Sequence, residues 1–262
     1  MSQSILTIDD LVDELSSHSS FVTMANYGDG EWSCLLGEVG WNCNGDRYYA
    51  PGLRDALEET FTPPLLTHYG FNPGRKHMEA AQEWLRKKGY SVPTVGPCSY
   101  RYRSGRTYAS CRGIESVENG ENTIPWVWKE IVSGSNCKGE FGPFLRLCKK
   151  RRVLVVGGAH LARLTVFTHK HLVTPPHNTW DVAEEVIAEI WDEWAKHGFD
   201  LALFACGLAS NALIWRLGKM GVCAHLIDVG AALDPYVGVL SRKTYKQPAF
   251  QEKLHRSIKE AG

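Results

Sequence analysis

Two carboxylates separated by a single glycine, Asp29 and Glu31, stand inside Asn26-Tyr27-Gly28-Asp29-Gly30-Glu31-Trp32. Oxygen ligands at this spacing suit a hard divalent cation such as Mg²⁺ or Mn²⁺, which keeps part of its coordination shell for water and substrate phosphates. A purely structural use competes with that chemistry. Acids are favoured in the first turn of a helix, where they face unpaired N–H groups and the positive end of the helix dipole. Gly28 and Gly30 allow close backbone approach in either case. Other residues with chemical potential are scattered. The histidines His160, His169, His171 and His177 come close together in sequence, and eight cysteines are spread along the chain with no Cys-x-x-Cys pair, so no zinc ligand set is spelled out. The cysteines read as small buried hydrophobes.

The elements that must position the two acids follow from periodicity. Phe21 to Tyr27 is an apolar run that stops in Asn-Tyr-Gly, and a helical pattern follows it, so the acids fall at a strand-to-helix turn. Upstream, Thr7 caps a helix to Ser16, with an apolar stripe of Ile8, Leu11, Val12 and Leu15. Downstream come a glycine-rich loop (37–45), a helix over Asp55–Phe61, a short strand over Leu65–Tyr69, and a helix over Lys76–Lys88 closed by Gly89. Ser99 to Tyr108 alternates Arg and Tyr across Ser104-Gly105, the pattern of a hairpin that either grips phosphates and stacks on rings or is a solvated edge. A short helix is expected around Trp126 and Trp128, then a loop over Ser133–Gly142.

The second half reads more plainly. Arg152–His160, Asp200–Gly207 and Cys223–Gly230 each hold a short apolar run closed by glycine, the pattern of strands buried on both faces, and helices over Thr179–His197 and Ala209–Met220 separate them. Such alternation builds right-handed βαβ units. The expected fold is α/β: a Rossmann-like, mainly parallel sheet flanked by helices, one domain over 1–262, with an irregular insertion around 98–148. Ligands bind at the carboxyl ends of parallel strands, so Gly157-Gly158, Cys206-Gly207-Leu208 and Asp228-Val229-Gly230 are expected to line one rim. These glycines spell no dinucleotide fingerprint, and no Walker A sequence, nucleophile elbow or kinase motif is present. A basic helix is expected in Ser241–Gly262.

Lys and Arg together number 29, as do Asp and Glu, so there is no global electrostatic footprint for nucleic acid or an anionic membrane. The first twenty residues are acidic rather than basic and apolar, and no run is long enough to span a bilayer, which leads to the expectation of a cytoplasmic protein.

The whole pattern resembles the GT-D type glycosyltransferases, first described as a domain of unknown function in bacterial adhesin glycosylation. The resemblance rests on Asn26-Tyr27-Gly28-Asp29-Gly30-Glu31-Trp32, on Val153-Leu154-Val155-Val156-Gly157, and on the strand–Cys-Gly–helix–Gly–strand–Asp-Val-Gly segment from Asp200 to Gly230. His177-Asn178-Thr179-Trp180 is also similar to the family's Asn-containing helix start. The resemblance implies sugar transfer from a nucleotide-diphosphate sugar, a UDP-sugar such as UDP-glucose being favoured, with Asp29 and Glu31 as the Asp-x-Glu motif holding Mn²⁺ or Mg²⁺. Tyr27, Gly28, Gly30, Gly157, Gly158, His160, Asn178, Gly207 and Gly230 are the expected donor-site positions. The acceptor would be a glycan, a glycoprotein or, through the 99–112 Arg/Tyr stretch, a modified nucleobase. One departure is that Gly230 is followed by Ala231-Ala232 where the family often has His, for which His225 or His160 would have to substitute. An inverting transfer needs a base for the acceptor proton, and Asp181, Asp228, Asp234 and Glu31 all remain open for it.

Two other classes compete. A Rossmann-like methyltransferase or nucleotide-binding oxidoreductase would use the rim glycines and leave Asp29 and Glu31 as capping acids. A non-catalytic carbohydrate-binding protein would use the nine tryptophans as platforms, but Trp84, Trp191, Trp194 and Trp215 fall at helix-periodic apolar positions and read as core.

Overall fold

The computed structural model describes residues 7–17, 20–38, 51–95, 99–101, 107–109, 114–128 and 130–262. The chain begins with α1 (Ile8–Ser16), β1 (Thr23–Tyr27), α2 (Asp29–Leu35), α3 (Leu53–Glu59), β2 (His68–Phe71) and α4 (Gly74–Lys87). Short strands β3 (Val92–Val95), β4 (Ser99–Arg101), β5 (Thr107–Ala109), β6 (Ile114–Glu118) and β7 (Trp126–Trp128) lead to α5 (Glu130–Lys138) and α6 (Gly142–Lys149). The remainder is β8 (Val153–Gly157), β9 (His169–Val173), α7 (Ala183–His197), β10 (Leu201–Ala205), α8 (Ala209–Lys219), β11 (His225–Asp228) and α9 (Pro248–Glu260). Short 3-10 turns cover Ala159–Arg163, Thr179–Val182, Gly230–Val237 and Lys243–Lys246.

Seven strands form one sheet in the order β7-β2-β1-β11-β10-β8-β9, and every pairing in it is parallel. The expected α/β sheet is therefore present, with the N-terminal strand β1 in the middle beside the C-terminal strand β11. Two cores flank it. On one face, Trp32, Leu57, Leu85, Ile190 and Leu213 come from α2, α3, α4, α7 and α8. On the other, Leu11, Val132, Phe144 and Leu233 come from α1, α5, α6 and the 230–237 turn.

The way the chain leaves the sheet creates the rim. After β1 and β10 it turns onto the first face, into α2 and α8, whereas after β11 and β8 it turns onto the second, where Leu233 and Leu161 are buried. Neighbouring strands that send their connections to opposite faces leave a crevice between them at their carboxyl ends. Here the alternation repeats across four adjacent strands, so 28–31 and 206–210 form a front wall of the rim and 158–163 and 229–242 a back wall, and this topology calls for a furrow between them.

Two local expectations give way. Trp126-Val127-Trp128 is strand β7, paired with β2 in the register Tyr69↔Trp126 and Phe71↔Trp128, and not a helix. Its tryptophans stand two residues apart, the period of a strand, and the open edge of β2 selects that reading. Residues 130–138 are helix α5 and not loop; a flat mix of Ser, Gly and Asn hides the amphipathic signal. Within 98–148, what stands off the main sheet is the β4–β5 pair and β6 against β3, while β7, α5 and α6 rejoin the sheet and core. Among the described residues no helix is long and apolar enough to cross a membrane.

Candidate active site

The front wall is built from β1 outwards. Tyr27 points its carbonyl towards β2, where Asn72 N–H donates to it at 3.0 Å, so the backbone of Asn26 faces β11, which ends too early to pair with it. Asn211 of α8 fills that place. Its Oδ1 accepts from Asn26 N–H at 3.1 Å and its Nδ2 donates to Asn26 C=O at 2.9 Å, a side-chain amide continuing the ladder past the end of a strand. Asn26 Nδ2 in turn donates to the Asp228 carbonyl at 2.6 Å. These buried bonds tie β1, α8 and β11 together directly beneath the acids.

At the turn itself, Glu31 Oε2 accepts from Gly28 N–H at 2.7 Å, the return half of a helix N-terminal cap. Asp29 is exposed and packs beside Gly74 at the start of α4, whose Cβ position lies 3.6 Å from Asp29 Cβ. A Cβ on Gly30 would come within 3.0 Å of Leu208 Cδ2, so the bare glycine lets the β1 and β10 turns close against each other. Beyond α2, Glu38 Oε2 accepts from Lys76 Nζ at 2.5 Å and contacts His77 Nε2 at 3.1 Å, clamping α2 to α4. Those partners pull the Glu38 carboxyl down to about 2. A depressed carboxylate stabilises the fold fully above its ordinary range and loses that contribution as pH falls towards the lowered value. Urea melts of the parent and Glu38→Gln are expected to differ at pH 7 and to converge as the pH drops to about 2.

On the back wall, His160 Nε2 lies 3.0 Å from Asp234 Oδ1, and Ser241 Oγ donates to Asp234 Oδ2 at 2.5 Å. Asp228 is buried and its Oδ1 accepts from Gly230 N–H at 2.9 Å, closing the turn after β11. Exposed Arg242 carries Nη2 to 3.8 Å from the Cβ position of Gly230. Of the two places expected to offer helix N–H groups, Gly207 opens onto helix α8, whereas Gly157-Gly158 leads only into the 159–163 turn.

No family model matches this sequence, and no curated protein matches it in sequence. Solved structures do match in shape. A selenomethionine-substituted structure of domain of unknown function 1792 (DUF1792) superposes with a TM-score of 0.56 at 15% identity, over 96% of this chain and 94% of that one. A glycosyltransferase (DUF1792) from Streptococcus sanguinis superposes with a TM-score of 0.55 at 17% identity, over 95% and 97%. A third, of the highly conserved domain of unknown function 1792 with its distinct glycosyltransferase fold, gives 0.55 at 14%, over 96% and 94%. This chain has the DUF1792 glycosyltransferase fold. The GT-D resemblance read from the sequence holds at the level of that fold, which extends over nearly the whole chain.

Within this DUF1792 fold the expected site residues divide. Asp29, Gly28, Gly30 and Glu31 share the front wall with Gly207; Gly157, Gly158, His160, Asp228 and Gly230 belong to the strand ends and back wall. Tyr27 does not present its side chain to the furrow. It is fully buried, its hydroxyl is bonded to Thr60, and burial raises its pKa well above the ordinary range, so only its backbone is near the rim. Asn178, in a left-handed conformation, and exposed Asp181 flank Trp180, which packs by Gly52 and under Arg216 on the outer side of α8. No hydrogen bond among the described residues links either of them to the acids. Cys206, at the rim, has its thiol pushed up to about 12 by burial, which removes it as a thiolate nucleophile. Strands β4 and β5 pair antiparallel as a hairpin requires, with Tyr100 opposite Tyr108, while 102–106 and 110–112 of the Arg/Tyr stretch lie outside the described residues, as does most of the 37–45 loop. Sequence reasoning passed over Asn211 and Arg242; the one signal for Asn211 was an amide inside the otherwise apolar run Ala209–Trp215.

Proposed function

We propose that this protein is a metal-dependent glycosyltransferase that moves a sugar from a nucleotide-diphosphate sugar, with UDP as the favoured nucleotide, to a glycan or glycoprotein acceptor. The observation that carries the reading is that Asp29 and Glu31 both fall in the first turn of α2, directly after the carboxyl end of a central parallel strand, on a fold shared with glycosyltransferase structures. Among the described residues no group of three or more His, Cys, Asp or Glu is arranged to hold a metal. Two carboxylates alone fit a Mg²⁺ or Mn²⁺ that arrives with the donor and takes its remaining ligands from phosphate and water. Once bound, that ion supplies a positive charge against the leaving diphosphate. The chain's own contributions are the two carboxylates, the open N-terminus of α8 behind Gly207, and the Arg242 guanidinium over Gly230, both suited to phosphate. A dinucleotide- or methyl-donor reading has less support, since the glycines after β8 lead into a short 3-10 turn and not an α-helix.

Calorimetry and thermal shift with a panel of nucleotide sugars, in Mn²⁺, in Mg²⁺ and in chelator, test this. The informative variants are Asp29→Asn and Glu31→Gln, because a glutamine keeps an oxygen for Gly28 N–H and so separates loss of charge from loss of the cap. Binding of one UDP- or GDP-sugar that needs metal and weakens at least about 10–100-fold in both variants, the range that even outer-sphere ligand changes produce, is the expected result. Metal-indifferent binding, or binding of S-adenosylmethionine or a nicotinamide cofactor in its place, would overturn it.

A further inference from the structure

We infer that His160 is the base that accepts the proton of the acceptor hydroxyl, held for that task by Asp234 on the back wall of the furrow; the inference rests on the glycosyltransferase reading and deepens it. The residues that could serve as base by sequence alone are engaged otherwise. Asp228 caps Gly230, Glu31 caps Gly28 with one oxygen and is given to the metal by the donor reading, and Asp234 already accepts from two donors. Asp181 lies outside the wall.

A carboxylate only accepts hydrogen bonds, so the proton between His160 and Asp234 sits on Nε2, which in a neutral ring leaves the lone pair on Nδ1. Asp234 is itself buried and fixed from behind by Ser241, while the His160 side chain is about a third exposed (36%), so part of it reaches solvent at the rim. The order Ser–Asp–His differs from that of a hydrolase, in which the serine touches the histidine and is the nucleophile. Here the serine is on the far side of the acid, so it is not placed to give its proton to the histidine, and an acceptor hydroxyl takes that place in the proposed step. Gly158 is part of the arrangement: a Cβ there would meet His160 Nδ1 at 2.9 Å. The other groups facing His160 are His171 of β9, which reaches the Gly157 carbonyl at 3.1 Å and whose pKa burial lowers, and Arg163, whose Nε lies 3.5 Å from the His160 carbonyl. In the proposed step the acceptor O–H proton passes to His160 Nδ1, the oxygen forms its bond to the anomeric carbon, and the bond from that carbon to the diphosphate oxygen breaks with its electron pair leaving on the nucleotide. Asp234 positions the ring and offsets the imidazolium charge.

The test uses the full chain with water as acceptor, following UDP release from UDP-glucose, UDP-galactose and UDP-N-acetylglucosamine in Mn²⁺ between pH 5 and 9, alongside calorimetric UDP affinity. The parent rate is expected to fall on the acid side as an imidazole protonates. His160→Gln and His160→Gly are expected to lose about 100-fold or more in rate with a far smaller loss of UDP affinity, to lose that acid limb, and in the glycine variant to regain rate with added imidazole. Asp234→Asn and the milder Ser241→Ala should retain UDP affinity and shift the acid limb. UDP binding together with near-parental rate and pH profile in the His160 variants overturns the inference alone. Failure of the parent to bind any nucleoside diphosphate overturns the donor reading, and this inference with it.

Discussion

Phe61→Ala is expected to lower the free energy of unfolding by about 4 kcal/mol, the cost of removing a fully enclosed aromatic ring and leaving its cavity behind. Phe61 follows α3 and is 2% exposed. Its ring centroid lies 5.0 Å from Tyr27, 5.4 Å from Tyr69, 5.5 Å from Trp84 and 5.4 Å from Tyr90, and it also meets Trp32 and Trp126. It is the meeting point of rings from β1, β2, α2, α4 and β7. Rings this large cannot close in on an empty space without leaving their own packing, so little of the loss is recovered by relaxation. Phe61→Leu, which keeps most of the volume, should cost well under half as much. Urea unfolding followed by tryptophan fluorescence measures both; a loss below about 1.5 kcal/mol for the alanine variant would show that the cluster repacks.

The second large effect belongs to Asn211. Asn211→Leu keeps the side-chain size but deprives the Asn26 N–H and C=O of their partner inside the sheet, at about 1–3 kcal/mol for each buried group left unsatisfied, or about 3 kcal/mol together. Asn211→Asp separates the two bonds, since a carboxylate still accepts from the N–H but cannot donate to the carbonyl. Denaturation of both variants, with nucleotide binding measured alongside, is expected to show the leucine variant less stable and weaker in binding. Asn26 precedes Asp29 by three residues, and any relaxation of β1 moves the acids.

What the sequence made legible was local. A glycine between two acids at the end of an apolar run fixes a turn within a few residues, and the buried runs Val153–Gly157 and Leu201–Ala205 fix strands by composition alone. Long-range pairings were not legible. His160 and Asp234 both stood out as individual residues, yet nothing in the spacing of 74 positions says that two turns from β8 and β11 meet. Tyr27 looked like a site residue because it sits in the motif, but strand alternation and the ring cluster beneath send its side chain inward. Trp126-Val127-Trp128 misleads because three residues after Pro125 carry too little periodicity, and only the open edge of β2 decides it.

The alternation that makes the furrow also sorts its failures. The front wall hangs on the packing of Trp32, Leu57 and Leu213, and the back wall on that of Leu161, Phe144 and Leu233, with the sheet as their shared partition. Random core substitutions scored in parallel for nucleotide affinity and for turnover at saturating donor should therefore fall into two classes. Those on the first side, behind the acids, should degrade affinity, whereas those on the second, which carries both His160 and Arg242, should degrade turnover together with part of the affinity. A library selected for new acceptors could then be confined to the second side of the partition, sparing Arg242 and its neighbours, while the acids keep their support from the first.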